Sequence, residues 1–222
     1  MKNKKSILVL GGTQMLGRHF VSSIIHNDTY DMQLANRGKT DPDFCKDRTI
    51  SIDRDSLDRC SVLASRLFDV VVDFSCYTIR HLVNILDHIG YNQYILISTQ
   101  SVLDKYTLNS TTESAYKTYC QNKYDIEKFV LNHQHPNIHQ HFFVLRPCAV
   151  YGDNDYTQRF IKRGNKFYWR HSGTEAHSDP NCVSIDLVTQ TIINTIDTTQ
   201  QHETNSISII NISNNQPHVS AK

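Results

Sequence analysis

The feature that constrains this chain most is a short apolar run, Ile7-Leu8-Val9-Leu10, that breaks straight into Gly11-Gly12. An apolar run without polar alternation, closed at once by glycine, is the pattern of a strand buried on both faces. After the turn, Leu16, Phe20, Val21, Ile24 and Ile25 recur at the spacing of one helix face, and Asn27-Asp28 ends the pattern. A buried strand, a tight glycine turn and an amphipathic helix are therefore predicted in that order. The alternation continues, with strands over residues 32–35, 49–52, 68–74, 93–98 and 141–145. Helical patterns fall between Ser56 and Leu67, between His81 and Ile89, and over residues 119–131. Regular strand–helix alternation predicts an α/β protein with a doubly wound parallel sheet covered on both faces. Beyond Pro147 the pattern weakens to a helix over 186–196 and a last strand over 207–212. The polar flanks, 198–201 and 213–222, read as mobile. Residues 1–150 are expected to form the main domain, and 151–222 a small, shortened lobe with a returning helix and strand. No internal repeat is visible.

Charge and composition exclude several partners. Lys and Arg number 23 against 22 Asp and Glu, for a net charge of +1. That balance leaves no basic field to neutralise phosphates, which argues against a nucleic-acid partner. The N-terminal apolar run is too short for a signal peptide or a membrane span, and no later stretch reaches membrane length. The expectation is a cytoplasmic chain with no membrane partner, whose thiols stay reduced. Cys45, Cys60, Cys76, Cys120, Cys148 and Cys182 are scattered with no CxxC pair, and read as small buried apolar residues.

The first turn, Gly11-Gly12-Thr13-Gln14-Met15-Leu16-Gly17, has the glycines that a pyrophosphate requires. Backbone must approach closely enough to donate N–H groups, and a helix N-terminus must point at the anion. Gly11 suits the tight turn and Gly17 the close packing of helix on strand, while Gln14 replaces the usual middle glycine. The end of the second strand then selects the cofactor. A carboxylate there would bind the ribose hydroxyl of NAD. This chain has Asn36, Arg37, Gly38 and Lys39 instead, and Arg37 suits a 2′-phosphate, so NADP(H) is favoured over NAD(H).

Tyr119 and Lys123 stand four apart, on one helical face. A tyrosine must lose most of its high phenolic pKa to act as acid or base near neutrality, and a neighbouring ammonium provides that. Tyr116 has no lysine four residues on. Ser98-Thr99 closes the fifth strand, where a hydroxyl can orient a carbonyl. The order Gly-Gly-Thr-x-x-x-Gly, Ser-Thr-x-x-Val, Tyr-x-x-x-Lys and Leu-Arg-Pro-x-x-Val-Tyr-Gly resembles the extended short-chain dehydrogenases/reductases, the superfamily of NAD(P)-dependent sugar-nucleotide epimerases, dehydratases and ketoreductases. Asn36-Arg37-Gly38 and Asp53-Arg54-Asp55 are most similar to an atypical branch that includes chloroplast stem-loop-binding proteins.

The resemblance implies a Rossmann fold and assigns roles residue by residue. Tyr119 becomes the proton donor or acceptor, Lys123 its activator and a ribose contact, and Thr99 the partner of the reacting oxygen. Thr13, Gln14, Met15 and Leu16 would follow Gly11 around the cofactor, with Asp53 at the adenine. Phe74, Ser75, Cys76 and Pro147 would complete the cofactor site. Tyr77, Gln100, Ser101 and Arg159 would meet the substrate, with Arg163 and Arg170 as further diphosphate contacts.

The same resemblance narrows the reaction. Sugar-nucleotide dehydratases carry an Asp-Glu pair just after the catalytic threonine, whereas this chain has Gln100 and Ser101. The expected reaction is NADPH-dependent reduction of a nucleotide-linked keto sugar, such as a dTDP-4-keto-6-deoxyhexose. A nucleotide-sugar epimerase with tightly bound cofactor stays open, as does a degenerate cofactor-bound module that binds RNA or protein. Extended members are usually longer at the C-terminus, which makes the lobe here a reduced one. A homodimer through the Tyr119 helix and the one before it is expected. His133, His135, His139 and His141 lie between a helix and a buried strand, which would scatter them, so no metal site is expected.

Overall fold

A computed structural model of the protein describes residues 4–40, 43–106, 114–138, 141–155, 157–198, 206–214 and 218–221. The strands are β1 (Lys5–Leu10), β2 (Tyr30–Asn36), β3 (Thr49–Ser51), β4 (Arg66–Asp73), β5 (Ile89–Ile97), β6 (His141–Pro147), β7 (Ala149–Tyr151), β8 (Phe160–Arg163), β9 (Lys166–Trp169), β10 (Cys182–Ser184), β11 (Ile207–Ile212) and β12 (His218–Ala221). The helices are α1 (Met15–Ile24), α2 (Leu57–Cys60), α3 (Ile79–Leu86), α4 (Ser114–Leu131) and α5 (Ile185–Asp197).

One sheet of eight strands runs in the order β12-β11-β6-β5-β4-β1-β2-β3. Its strands from β3 to β11 are parallel, and β12 closes the far edge antiparallel to β11. The chain builds outward from β1 to β3, returns to β4 beside β1, and then builds the other way. At such a reversal the connections leave a crevice at the carboxyl ends of the strands.

The first strand shows why the sheet is covered on both faces. Ile7 and Val9 pack with Phe20, Val21 and Ile24 of α1 and with Val188, Ile192 and Ile196 of α5. Leu8 and Leu10 point the other way, among Leu82, Ile85 and Leu86 of α3 and Ile126 and Val130 of α4. All four β1 residues are fully buried. Each such side chain contributes about 1.5–3 kcal/mol by leaving water. The period of two along a strand sends alternate residues to two different helix layers, so no polar face is left for alternation to reveal.

The structure corrects the sequence reading in three places. The helical segment after Ser56 is only α2 and a following single turn over Ser61–Leu63. Ser65 then takes a positive φ of 61° and turns the chain into β4 at Arg66. The tail read as mobile contains β12, which pairs through its backbone with β11 from Ser208 to Asn211. An edge strand held by main-chain bonds needs no apolar pattern. Residues 149–184, where the pattern faded, hold a parallel pair, β7 with β10, and a hairpin, β8 with β9. These enclose a small cluster of Tyr151, Phe160, Ala176 and Cys182, backed by Phe167 and Trp169. The α5 helix and β11 belong to the main core and sheet.

Candidate active site

Glycine makes the first wall of the crevice. Gly11 takes a φ of 81°, and a Cβ there would lie 2.5 Å from Ser75 Cβ. A Cβ on Gly17 would lie 2.5 Å from the Gly11 carbonyl oxygen, so α1 seats directly on the turn. Gln14 caps α1 with extended backbone but without a side-chain hydrogen bond, and the first turn carries no acidic residue. The positive end of the helix macrodipole thus faces the crevice with no carboxylate of its own turn against it.

The crevice has a volume of about 300 Å³. Gly11, Thr13, Gln14, Met15, Leu16 and Gly17 line it from the first turn, and Asn36, Arg37 and Lys39 from the end of β2. Asp53 enters from the end of β3, and Phe74, Ser75 and Tyr77 follow β4. Asn36 Oδ1 accepts a hydrogen bond from the Gly38 amide at 2.6 Å, which folds the turn and leaves Arg37 and Lys39 exposed at its rim.

The sequence reading missed the floor. Arg54 also lines the crevice and is buried against Asp73, the last residue of β4, with both Nη atoms donating to its carboxylate at 2.7 Å. The remaining guanidinium hydrogens go to Ser75 Oγ and to the His81 carbonyl. Tyr94 donates its phenol to Asp73 at 2.7 Å, and the Ser75 amide donates to the same carboxylate at 3.0 Å. Burial alone would raise the Asp73 pKa. The Arg54 charge and these hydrogen bonds outweigh it and hold the carboxyl below its ordinary range. His81, whose ring meets Asp55 at 3.1 Å, and Thr40 complete the rim. A carboxylate ending the run Val70-Val71-Val72 was the available signal for this floor.

Farther along the same edge stand the residues assigned to chemistry. Thr99 follows β5, is nearly buried, and its Oγ1 accepts from the Ser101 amide at 3.2 Å. Tyr119 and Lys123 lie on α4, Tyr119 half-buried with its ring 6.5 Å from that of Tyr116. Lys123 is buried and donates to the Cys76 carbonyl at 2.8 Å and the Ile97 carbonyl at 2.9 Å. It therefore ties α4 to the carboxyl ends of both β4 and β5. Burial lowers its pKa, partly opposed by Cys76, Asp73 and Glu127. Its ammonium also lies 5.2 Å from the centre of the Tyr77 ring.

The other predicted residues take separate places. Cys76 is fully buried, with its thiol on the Thr78 carbonyl, and burial pushes its pKa up to about 11. Pro147 ends β6 in the interior. Gln100 accepts a hydrogen bond from the Cys148 thiol, and Ser101 is half-buried beside it. Arg159 lies out on the small lobe, bonded to Thr157. Arg163 stacks on Tyr168, and Arg170 binds the Gln158 carbonyl, both also on that lobe. His133, His135 and His141 each meet a different partner (the Ile138 carbonyl, Asp87 and Ser206), and His139 is outside the described residues.

No protein-family model and no curated protein matches the sequence. Solved structures do match the fold. A wide-type short-chain dehydrogenase/reductase from Veillonella parvula, in complex with NADP, superposes with a TM-score of 0.62 at 16% identity, over 95% of this chain and 95% of that one. A UDP-glucuronic acid 4-epimerase from Bacillus cereus, in complex with UDP-glucuronic acid and NAD, gives 0.63 at 17% identity, over 96% of this chain and 79% of that one. A UDP-galactose 4-epimerase gives 0.66 at 13% identity, over 96% and 78%. Among the described residues no helix is long and apolar enough to cross a membrane. Parallel strand order, glycine turn and crevice together give this chain a Rossmann-type α/β fold, the fold of these solved structures.

Proposed function

We propose that the crevice binds a nicotinamide dinucleotide, with NADP(H) preferred to NAD(H), and that the chain is an enzyme reducing the carbonyl of a nucleotide-linked keto sugar. The observation that carries this reading is the glycine cradle. A Cβ at Gly11 would collide with Ser75 and one at Gly17 with the Gly11 carbonyl, and α1 aims an acid-free N-terminus at the crevice. A pyrophosphate fits that chemistry. Arg37 and Lys39 at the rim suit a 2′-phosphate, and Asp53 suits the adenine amino group. The nicotinamide, when bound, supplies a hydride to the carbonyl carbon.

The chain's own groups would do the rest. Thr99 Oγ1 would donate a hydrogen bond to the substrate carbonyl oxygen, and Tyr119 would hold at its phenol the proton that this oxygen receives. Lys123, already fixed at the junction of β4 and β5, would favour the phenolate by its charge. Gln100 and Ser101 offer no acid–base pair, which disfavours a dehydratase. Arg159 on the small lobe would meet the nucleotide diphosphate of the substrate.

NADPH binding and NADPH oxidation in the presence of a dTDP-4-keto-6-deoxyhexose test this reading. Wild type should consume NADPH, and Tyr119→Phe should lose about 100-fold or more in rate, the weight of a positioned proton donor. Sugar interconversion without net NADPH consumption would replace the reductase by an epimerase using the same tyrosine. Failure to bind either dinucleotide would overturn the proposal.

A further inference from the structure

Glu127 lies four residues beyond Lys123 and eight beyond Tyr119, on the same face of α4. It is 2% exposed, deeper than most carboxylates ever sit. Its Oε1 accepts from Ser98 Oγ at 2.5 Å and from Arg146 Nε at 3.1 Å, and its Oε2 accepts from Arg146 Nε at 3.0 Å and from Nη2. Ser98 is itself buried, and its amide donates to the Leu145 carbonyl at 2.7 Å. Three elements, α4, β5 and β6, thus converge on one carboxylate.

The sequence neighbours of Ser98 give the network its point. Ile97, just before it, presents the carbonyl that Lys123 holds, and Thr99, just after it, carries the hydroxyl assigned to the reacting oxygen. The helix is therefore tied at two successive residues of the strand end, by Lys123 and then by Glu127. An apolar residue at 127 would pack on β5 and β6 without the desolvation cost of a buried ion. Apolar contact is non-directional, however, and would let a helix shift along a strand. A carboxylate with a bidentate arginine and a hydroxyl accepts only one register.

We infer that Glu127 is a positioning residue: through Ser98 and Arg146 it fixes the register of α4 on β5, and so sets where Tyr119 stands relative to Thr99. The inference rests on the assignment of Thr99, Tyr119 and Lys123 to the site, and its test separates the two. Ser98→Ala is the main variant, because it cuts the link to β5 while the Glu127–Arg146 pair survives; Glu127→Gln is the second.

In the ligand-free protein the ring-carbon NMR resonance of Tyr119, assigned with Tyr119→Phe, should move in both variants. With NADPH and substrate, kcat should fall about tenfold or more, as expected for misplaced reacting groups, while the NADPH dissociation constant stays unchanged. A lowered melting temperature with the Tyr119 resonance and kcat both at wild-type values would make the network structural only and overturn the inference. If wild type oxidises no NADPH, the proposed reaction falls on its own. The Tyr119 resonance then still decides the register claim: displaced in Ser98→Ala it supports it, unmoved it refutes it.

Discussion

At the β1–β2 end of the crevice, room is made by atoms that are missing. Gly11 and Gly17 carry no Cβ where one would collide, α1 begins without an acid, and Arg37 and Lys39 reach into solvent. At the β4–β5–α4 end the reverse holds. Arg54, Asp73, Lys123 and Glu127 are buried, and each is hydrogen-bonded to protein groups. One end is built of glycine and exposed cations, whereas the other is finished by hydrogen bonds within the protein. The proposed function would use both constructions, because binding a dinucleotide tolerates adjustment and proton transfer to one carbonyl does not.

Damage at the finished end should register first as lost stability. Asp73→Asn should cost about 3–5 kcal/mol, the penalty of leaving one partner of a buried ion pair uncompensated, measured by urea unfolding. The pH dependence follows from the sign of the Asp73 shift. Its carboxyl is held below the ordinary range in the folded protein, so its stabilisation is complete above the unfolded-state pKa. That stabilisation is lost as pH falls through the depressed folded value. Wild type should weaken over this acid interval, and Asp73→Asn should lack that component of the loss. Unaltered stability in Asp73→Asn, with only NADPH binding affected, would erase the distinction between the two ends.

The open end should respond the other way, with a smaller stability effect and a larger binding effect. In Gly17→Ala the new Cβ meets backbone, the Gly11 carbonyl, so the turn or the helix must move. Overpacking of this kind costs about 1–3 kcal/mol. NADPH binding, followed by nucleotide fluorescence, should be lost because the amides of the turn no longer converge. A Gly17→Ala protein that still bound NADPH normally would show that the cradle is looser than its contacts indicate.

This division also explains what could be read from the residues alone. The glycine turn, Asn36-Arg37 and the strand alternation are local patterns, carried by residues within one or two turns of each other. The Arg54–Asp73–Tyr94 floor joins residues 19 and 21 positions apart, and it exists only once β3, β4 and β5 are aligned. Glu127 was within reach, since the four-residue step from Tyr119 to Lys123 continues to it. Its partners, Ser98 and Arg146, lie 29 and 19 residues away and come together only across the sheet. The β8–β9 hairpin escaped because its short strands, Phe-Ile-Lys-Arg and Lys-Phe-Tyr-Trp, show no alternation of apolar and polar residues. Gly164-Asn165, with Gly164 at a φ of 60°, was the turn signal it offered.

Loss of Arg37 should change the protein least, and only in its choice of cofactor. Arg37 sits at an exposed rim on a long side chain, so ordering it against a 2′-phosphate offsets part of the gain. A charge-assisted hydrogen bond is worth about 1.5–3 kcal/mol, and Lys39 remains nearby as a second cation. Arg37→Ser should therefore weaken NADPH binding about tenfold and leave NADH binding unchanged. The difference should shrink as salt rises, because exposed charges are screened. Equal weakening of both dinucleotides would mean that Arg37 shapes the Asn36–Gly38 turn instead of reading the phosphate. Loss for NADPH alone would place cofactor choice in surface charge, at the end of the crevice where the cations stand exposed on a folded turn.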